Sequence, residues 1–324
     1  MKKQIWSLGL AGLLACATGA VAVTYYIDDN SNVGDVYTPG FTGNDSNDGL
    51  TPSTPKLTLN NLLASTNLLP GDIVYIDTGT YPDGVLFSSA VNGNSTNPIL
   101  FQGASSTTPK GSGTVFASSG INFEINGNYL HFKDICLSGG SYGMKLVGSS
   151  YGQYERIYAV SNSAISIRVE GTSNSNAFRH CVLWSLTLSA LNSVQPAKGN
   201  YMEHSISYSR DASSFVAASG VFTNIVSCIS IARIGIASDF YTPDGGTRNI
   251  FFNSERVHGT YDTLAELQRV NTNWYGNMVA DPKFVDAAGL DFHLLSAAGF
   301  VSNGVWVTNP AVGFSPGIDF GPRE

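Results

Sequence analysis

A short pattern of apolar and polar positions recurs along the middle of the chain. Each copy has an apolar residue, a charged or polar residue, a polar residue that favours turns, and then an apolar run. The leading apolar residues of the clear copies are Phe132, Tyr154, Phe178, Met202 and Phe222. The copies therefore follow one another at steps of 22, 24, 24 and 20 positions, and a period in this range is typical of solenoid proteins.

The residue types in the repeated stretch distinguish between kinds of solenoid. The regularly spaced leucines of leucine-rich repeats are absent, and helical repeats have longer periods and more helix formers. Ser, Val, Ile and Gly are frequent, and these residues suit short strands joined by tight turns. The sequence therefore predicts an all-β parallel β-helix with its coils over residues 73–253, in which equivalent positions of adjacent coils lie about 4.8 Å apart.

Two columns of polar residues follow from this register. The second position of the pattern alternates in charge, so adjacent coils would form an ion-pair ladder whose exposed pairs contribute about 0.2–1 kcal/mol each. This second column contains Lys133, Glu155, Arg179 and Glu203. The third column is polar, as expected for residues that hydrogen-bond within turns. Its members are Asp134, Arg156, His180, His204 and Asn224.

Both ends of the predicted solenoid carry short helical patterns that would cover an open coil. An N-terminal cap over residues 23–72 contains leucines at helical spacing, which predict a short amphipathic helix over 56–63. The Pro-Gly pair that follows ends this segment. A C-terminal segment over residues 254–324 contains a second predicted helix over 262–268 and completes the solenoid as a further cap.

Residues 1–22 have the features of a secretory signal peptide. Two lysines precede an apolar stretch over residues 5–15, and Ala20-Val21-Ala22 fits a cleavage site. Cleavage after Ala22 would leave 15 of the 17 basic residues against 24 acidic residues, a net charge of −9. Residues 13–16 also resemble a bacterial lipoprotein box, with Cys16 as the lipidated residue. We therefore expect a secreted or cell-surface protein, with lipidation as the alternative to cleavage.

Composition narrows the functional classes. The chain has 324 residues, of which 43% are hydrophobic and 13% charged, so it can bury a sizeable core. The net charge of −7 argues against a nucleic-acid partner, and no internal apolar stretch reaches the roughly 18 residues of a membrane span. Cys136, Cys181 and Cys228 fit no zinc pattern. They are predicted to be buried thiols, because two coils separate successive cysteines, too far for a disulfide.

The two ends of the chain carry a family resemblance. Secreted bacterial right-handed parallel β-helix proteins begin with segments similar to YYIDDNSNVGD, GNDSNDGLTPSTPKLTLNNLL and LLPGDIVYIDTGTY. Many of them end with segments similar to DTLAELQRVNTNWYGNMVADPKFVDAAGLDFHLLSAAG and SPGIDFG. The chain thus resembles the pectate-lyase-like superfamily, which implies right-handed coils. That superfamily includes pectate and alginate lyases, pectin-directed hydrolases, phage tailspikes and adhesins, so the resemblance does not decide the reaction.

A polysaccharide lyase is the first function to consider. Such an enzyme removes a proton beside a uronate carboxylate, which requires a base and a cation that neutralises the carboxylate. The resembled lyases place these groups on the outer face of one sheet, often with bound calcium. Consecutive coils here supply a basic cluster of candidate catalytic residues: Lys133, Arg156, Arg179, His180, His204 and Arg210. Ion pairing along the ladder is the alternative role for Lys133 and Arg179.

A calcium site is predicted in the loop that contains Asp45, Asn47 and Asp48. Carboxylate and amide oxygens at close spacing are suitable ligands for this hard cation. The same residue types also form Asx turns, in which the side chain accepts a hydrogen bond from a nearby backbone amide. Calcium is therefore the one cofactor that the sequence suggests, with a structural turn as the alternative.

Two other functions stay open. A glycoside hydrolase would need paired carboxylates, for which the sequence offers Glu203, Asp211, Asp239 and Asp244 without a marked spacing. A non-catalytic scaffold, adhesin or glycan-binding module would need only a face with exposed aromatic residues. Candidates for stacking on sugar rings, with core packing as their alternative role, are Tyr151, Tyr154, Trp184, Tyr208 and Trp274. In each case the expected partner is a polysaccharide or cell-surface glycan, and the oligomeric state is left open.

Overall fold

The computed structural model describes most of the chain after the predicted signal peptide. The described ranges are 21–104, 113–194, 196–209, 212–217, 221–226, 228–231, 234–237, 246–247, 249–252, 256–258, 262–270, 272–279, 284–286, 291–294, 300–302 and 305–307.

Short strands dominate the described chain, with two one-to-two-turn helices among them. In chain order the elements are β1 Thr24–Ile27, α1 Leu59–Ser65, β2 Ile73–Ile76, β3 Gly79–Tyr81, β4 Val85–Phe87, β5 Ile99–Gly103, β6 Thr114–Phe116, β7 Ile121–Ile125, β8 Leu130–Ser138, β9 Tyr142–Val147, β10 Gln153–Asn162, β11 Ile165–Glu170, β12 Ala177–Arg179, β13 Val182–Ser185, β14 Leu191–Ser193, β15 Asn200–Glu203, β16 Ile206–Ser209, β17 Ser213–Ala217, β18 Phe222–Val226, β19 Ile229–Ile231, β20 Ile234–Ala237, β21 Gly246–Thr247, β22 Ile250–Phe252, β23 Arg256–His258, α2 Leu264–Val270, β24 Met278–Val279, β25 Phe284–Asp286, β26 Asp291–Leu294, β27 Phe300–Ser302 and β28 Val305–Val307.

The strands stack into sheets that run along a parallel β-solenoid. The larger sheet follows the order β1-β2-β5-β8-β10-β13-β16-β19-β22-β24, and β12, β15, β18 and β21 continue from β10 as a branch. The second sheet follows the order β4-β7-β9-β11-β14-β17-β20-β23. Pairing within both sheets is parallel, whereas β25–β26 and β27–β28 form separate antiparallel pairs. The all-β parallel β-helix predicted from the repeat is confirmed.

The interior contains the predicted column of apolar residues. Phe132, Tyr154, Phe178 and Met202 lie opposite one another in successive strands, and each is at most 1% exposed. The rings of Phe132 and Tyr154 stack with centroids 5.7 Å apart, and those of Tyr154 and Phe178 with centroids 4.9 Å apart. Each aromatic residue therefore buries its faces against its equivalents in the neighbouring coils, which holds the coils in register.

The last copy of the repeat has a different register from the one that the sequence pattern predicts. Ile225, not Phe222, lies opposite Met202, so the step is 23 positions. Phe222 opposes Asn200 across an irregularity in the pairing, and its buried ring packs 5.1 Å from that of Phe215. The sequence pattern aligned Phe222 with Met202 because Phe222 resembles the aromatic leading residues of earlier copies. The irregular pairing that shifts the strand leaves no mark on the residue types, so the pattern could not reveal it. The same shift removes Asn224 from the third column.

The third column forms a corner of each coil. Asp134, Arg156, His180 and His204 have φ angles of 57°, 52°, 53° and 48°, in the left-handed region that residues other than glycine rarely adopt. Repetition of this conformation in four coils turns the chain at the same place each time. The backbone thus confirms a column of turn residues that separates two straight segments of each coil.

Both predicted helices are present and shifted by a few residues. Helix α1 begins after its N-cap Thr58, whose hydroxyl accepts a hydrogen bond from the Asn61 amide at 3.1 Å. Before α2, Thr263 and Glu266 accept hydrogen bonds from each other's backbone amides, a capping box. Each helix buries an apolar side chain in the solenoid core, as Leu62 and Leu267 do. The prediction for α1 began too early because it followed leucine spacing and not the cap, whereas that for α2 counted the residues before Leu264, the capping residue among them, as part of the helix.

The described residues include no helix that is long and apolar enough to cross a membrane. Cys136, Cys181 and Cys228 are buried thiols, and none of them forms a disulfide within the described residues. Burial raises the pKa of each to about 12, which keeps them protonated and unreactive at neutral pH.

Candidate functional site

The second column of the repeat lies on the outside of the larger sheet. Because side chains alternate along a strand, the residues beside the buried column point outward. Lys133, Glu155, Arg179 and Glu203 oppose one another in successive strands, as the register predicts. We call this surface, with its outward neighbours, the charged face. It comprises His131, Lys133, Glu155, Arg179, Tyr201 and Glu203.

Two ion pairs lie on the charged face, each between residues of neighbouring strands. Lys133 Nζ lies 3.0 Å from Glu155 Oε2, and the Arg179 guanidinium bonds Glu203. The Arg179 guanidinium also bonds the Tyr201 hydroxyl and lies 4.9 Å from the centroid of that ring. Burial opposes the charge of Arg179, but the hydrogen bonds to Glu203 and Tyr201 outweigh it and raise the pKa. The face is therefore an ordered, nearly neutral surface with two positive groups on alternate coils.

Arg156 occupies the corner beside the charged face. Its Nε and Nη2 lie 2.6 and 2.9 Å from the two carboxylate oxygens of Asp134, and its Nη1 contacts Glu155. The hydrogen bonds that Arg156 donates to Asp134 raise the pKa of Arg156. Arg156 is fixed in place, because its Nε and Nη2 both bond the Asp134 carboxylate, whose side chain is only 7% exposed. Its guanidinium therefore has little freedom to bind a ligand.

His180 and His204 are adjacent members of the same corner. Their rings stack with centroids 5.3 Å apart at an angle of 17°. Their backbone amides donate to carbonyl groups of the next coil, on Glu203 and Val226 respectively. The structure therefore brings five of the six candidate catalytic residues together along one sheet and its corner, with the two histidines on the corner. The sixth, Arg210, lies outside the described residues, as do the candidate hydrolase acids Asp211, Asp239 and Asp244.

His131 is a functional candidate that the sequence pattern did not single out. It opposes Leu100 and Gln153 on neighbouring strands and points outward two positions before Lys133. Burial, with the positive charges of Lys133 and Arg179, lowers the pKa of its imidazole below the ordinary value. The side chain makes no hydrogen bond within the described ranges. His131 is therefore a neutral imidazole at neutral pH, available to accept a proton beside two cations.

The signal for His131 was present in the sequence. Period-two alternation places residues 131 and 133 on one side of the same strand. The repeat search began each copy at the buried residue 132, so the outward residue before it was not aligned. A search that included this position would have found Gln153, Ala177 and Tyr201 in the same column.

Aromatic side chains lie at other places along the outside of the solenoid. Tyr75 packs against Tyr26 and Tyr37, with ring centroids 5.8 and 4.5 Å away. Tyr129 and Tyr151 stack face to face at 4.7 Å, and Tyr151 is 49% exposed. Of the predicted stacking residues, Tyr151 is thus accessible.

The other predicted stacking residues are less accessible. Tyr154 and Trp274 are fully buried, so core packing is their role. Trp184 and Tyr208 are half-buried neighbours, with ring centroids 5.9 Å apart in an edge-to-face arrangement.

The predicted calcium loop uses its oxygens within the protein. Asp45 accepts hydrogen bonds from the amides of Leu57 and Thr58 at 3.1 and 2.9 Å, and Asp48 accepts one from Leu50 at 3.0 Å. The bond from Leu50 contributes to a lowered pKa of Asp48. Asn47 donates its side-chain amide to the Pro55 carbonyl at 2.8 Å, a further bond within the loop.

These bonds tie the loop together as a turn, the alternative role of these residues, and the calcium site stays a prediction. Across the described ranges, no group of three or more His, Cys, Asp or Glu side chains is arranged to hold a metal.

Comparison with known proteins establishes the fold but not a family. No family model and no curated protein matches the chain. The solved structure of pectate lyase Pel9A is similar at a TM-score of 0.51 and 13% identity, over 88% of this chain and 94% of that one. A rhamnogalacturonan lyase structure is similar at a TM-score of 0.50 and 17% identity, over 71% and 68% of the two chains. At such identities the likeness shows a shared parallel β-helix fold.

Proposed function

We propose that this protein binds a uronate-containing polysaccharide along the charged face and cleaves it by β-elimination, with His131 as the base. The observation that carries the proposal is the neutral imidazole of His131 on the same outward surface as Lys133 and Arg179. Two solved structures that share the fold are named as a pectate lyase and a rhamnogalacturonan lyase, which supports this choice of substrate. The oligosaccharide would lie across the coils, with its carboxylate groups near the two cations.

The proposed reaction needs one base and one neutralising cation. The imidazole of His131 removes the proton on C5 of the uronate, and the electron pair of that C–H bond forms the C4–C5 double bond. The C4–O bond to the neighbouring sugar breaks, and its oxygen leaves with a proton from solvent. Lys133 or Arg179 stabilises the negative charge that develops on the uronate carboxylate during proton removal.

The test is incubation of the protein with uronate-containing and neutral polysaccharides, with and without calcium. Elimination produces an unsaturated uronate, which absorbs near 230–235 nm. His131→Ala is expected to lower kcat/KM by about 100-fold or more, the usual contribution of a general base. Lys133→Ala is expected to lower kcat as well as raise KM, because Lys133 would bind the substrate carboxylate and stabilise the charge that develops on it.

Lys145→Ala is the matched control. Lys145 forms a 2.8 Å ion pair with Glu170 on the second sheet, and its side chain is 25% exposed, compared with 35% for Lys133. This variant should retain the wild-type rate, since it removes a similar pair from a different face. Elimination that continues undiminished in His131→Ala would contradict the role of the imidazole.

A second candidate function is a glycan-binding scaffold without catalysis. The specific observation in its favour is that both cations of the charged face already pair with carboxylates, Lys133 with Glu155 and Arg179 with Glu203. In that case an acidic oligosaccharide would bind, His131→Ala would leave the affinity unchanged, and no absorbance would develop across the whole panel.

The location of the protein is also part of the proposal. We propose that it is exported by residues 1–22 and acts outside the cytoplasm, where polysaccharides of this class occur. The basic, apolar and small-residue segments of the N-terminus support export.

A further inference from the structure

A cavity of about 450 Å³ lies away from the charged face, where the N-terminal cap meets the first strands of the solenoid. Its walls come from the start of α1, the loop after β1, the chain from β3 to β4, and the end of β6. A volume of this size is within the range of small-molecule sites. Four parts of the chain that are separate in sequence therefore meet around a space that none of them fills.

The apolar lining of the cavity has a buried part and an accessible part. Tyr81 and Phe116 stack with ring centroids 5.0 Å apart, and they are 4% and 1% exposed, so they support the wall and offer a ligand little surface. Tyr81 donates its hydroxyl to the Asp77 carbonyl at 3.1 Å, which orients its ring. Leu57, which is half-buried, and Pro82, which is exposed, supply the accessible apolar surface. These two side chains suit the C–H face of a ligand.

The rim of the cavity offers hydrogen-bond acceptors. The Asp29 carboxylate is held by the amides of Ser31 and Thr80 at 2.8 and 3.0 Å, which fixes its orientation and leaves lone pairs unused. Asn60 donates its side-chain amide to the Gly84 carbonyl at 3.0 Å, so its carbonyl oxygen is the group that remains. Asp83 adds an exposed carboxylate. A ligand here must therefore supply donors.

We propose that this cavity binds a neutral sugar residue. Hydroxyl groups on one edge of a pyranose donate to Asp29, Asp83 and Asn60, while its C–H face packs on Leu57 and Pro82. A uronate is excluded, because its carboxylate would approach two carboxylates on the rim. This proposal does not rest on the activity proposed for the charged face. The charged face is proposed to bind an acidic sugar, whereas the carboxylates at the cavity would repel one.

The test measures binding of cellotetraose, xylotetraose, mannotetraose and tetragalacturonate to the full-length protein by calorimetry. The comparison uses a Lys133→Ala variant, in which binding of acidic sugars to the charged face is weakened. This variant should bind at least one of the neutral tetrasaccharides more tightly than it binds tetragalacturonate. Thr80→Trp, which fills the cavity from an exposed wall position, should weaken neutral-sugar binding by at least 10-fold. Asp83→Asn should weaken it by roughly threefold, as expected for one lost charge-assisted bond.

Leu86→Trp is the matched control, because Leu86 is 53% exposed and lies outside the cavity next to its wall. It should bind the neutral sugar as the wild type does, and thermal unfolding should show that both tryptophan variants fold. Three results would overturn the proposal: no neutral sugar binds, Thr80→Trp and Asp83→Asn bind as tightly as Leu86→Trp, or hexylammonium displaces the sugar at lower concentration than a second sugar does. Loss of β-elimination alone would leave this inference unaffected.

Discussion

Asp28 is the residue whose surroundings conflict most with its charge. It is fully buried, and its Oδ1 has no hydrogen-bond partner among the described residues. The Thr38 hydroxyl lies 2.9 Å from Asp28 Oδ2 and 2.8 Å from Asp77 Oδ2, although it has one proton to donate. Burial, followed by the charges of Asp35, Asp77 and Asp29, raises the pKa of Asp28 to about 7. Protonation of Asp28 Oδ2 resolves the competition for the single Thr38 proton, because Asp28 can then donate to Thr38 while Thr38 donates to Asp77.

This arrangement predicts that stability falls as pH rises. The pKa of Asp28 is about 7 in the folded protein, above the ordinary value of 3.8. Its contribution is therefore complete below about pH 4 and is lost progressively until about pH 7. We expect the free energy of unfolding in urea to fall by about 2 kcal/mol more between pH 5 and pH 8 in the wild type than in Asp28→Asn.

The control for this prediction is Asp83→Asn, which removes an exposed carboxylate and should keep the wild-type pH dependence. Equal slopes for the wild type and Asp28→Asn would show that Asp28 is ionised throughout this range.

Adjacent residues of one strand differ greatly in their expected contributions to stability. Phe178 is fully buried and stacks on Tyr154, whereas Arg179 is outward and its side chain is 32% exposed. Phe178→Ala should lower the free energy of unfolding by about 3–5 kcal/mol, through lost burial and the cavity that remains. Arg179→Ala should lower it by about 1 kcal/mol or less, as exposed ion pairs usually do. Urea unfolding of the two variants measures both values.

A large cost for Arg179→Ala, close to that of Phe178→Ala, would mean that the ladder and not the aromatic stack holds the coils in register. The comparison is informative because both substitutions leave alanine in the same three-residue strand, β12. Strand propensity differs between the two starting residues by at most about 1 kcal/mol, less than the difference expected here.

The elements that sequence predicted well are those governed by a constant period. Lys133, Glu155 and Arg179 could be assigned to one outer column because each coil between them has nearly the same length. Prediction of the register failed at Phe222, where irregular pairing shifts the strand while the residue type stays the same. His131 was missed for a different reason: a pattern anchored on the buried residue ignores the outward residue before it.

At the scale of the whole molecule, the features that were not predictable depend on contacts between the cap and the coils. Asp28 and Asp77 become neighbours because β1 pairs with β2, and 49 positions of sequence outside the repeat separate them. The proposed sugar cavity likewise joins the cap loop, α1 and the turn after β3. A period identifies which residues of the coils are equivalent, but it gives no information on how a non-repeating cap is placed on them.

The cap also connects folding with the proposed export. Val23, the first residue after the predicted cleavage site, donates its amide to Asp72 Oδ1 at 2.8 Å, and Asp72 is 1% exposed. Cleavage after Ala22 would convert this amide into a charged ammonium group facing the same buried carboxylate. A charge-assisted hydrogen bond is stronger than a neutral one, so the mature chain should depend more on Asp72 than the precursor does.

We therefore expect Asp72→Asn to destabilise a chain that begins at Val23 by about 1 kcal/mol more than it destabilises a chain that begins at Cys16. Urea unfolding of the four proteins gives this difference as a double-mutant cycle, with Asp83→Asn in both chains as the control for loss of an acidic charge. The intact mass of the exported protein shows independently which end is made: cleavage after Ala22 gives an unmodified chain from Val23, and lipidation gives an acylated chain from Cys16. Equal costs of Asp72→Asn in the two chains would show that the ammonium group of Val23 gains no stronger bond to Asp72 than its amide has.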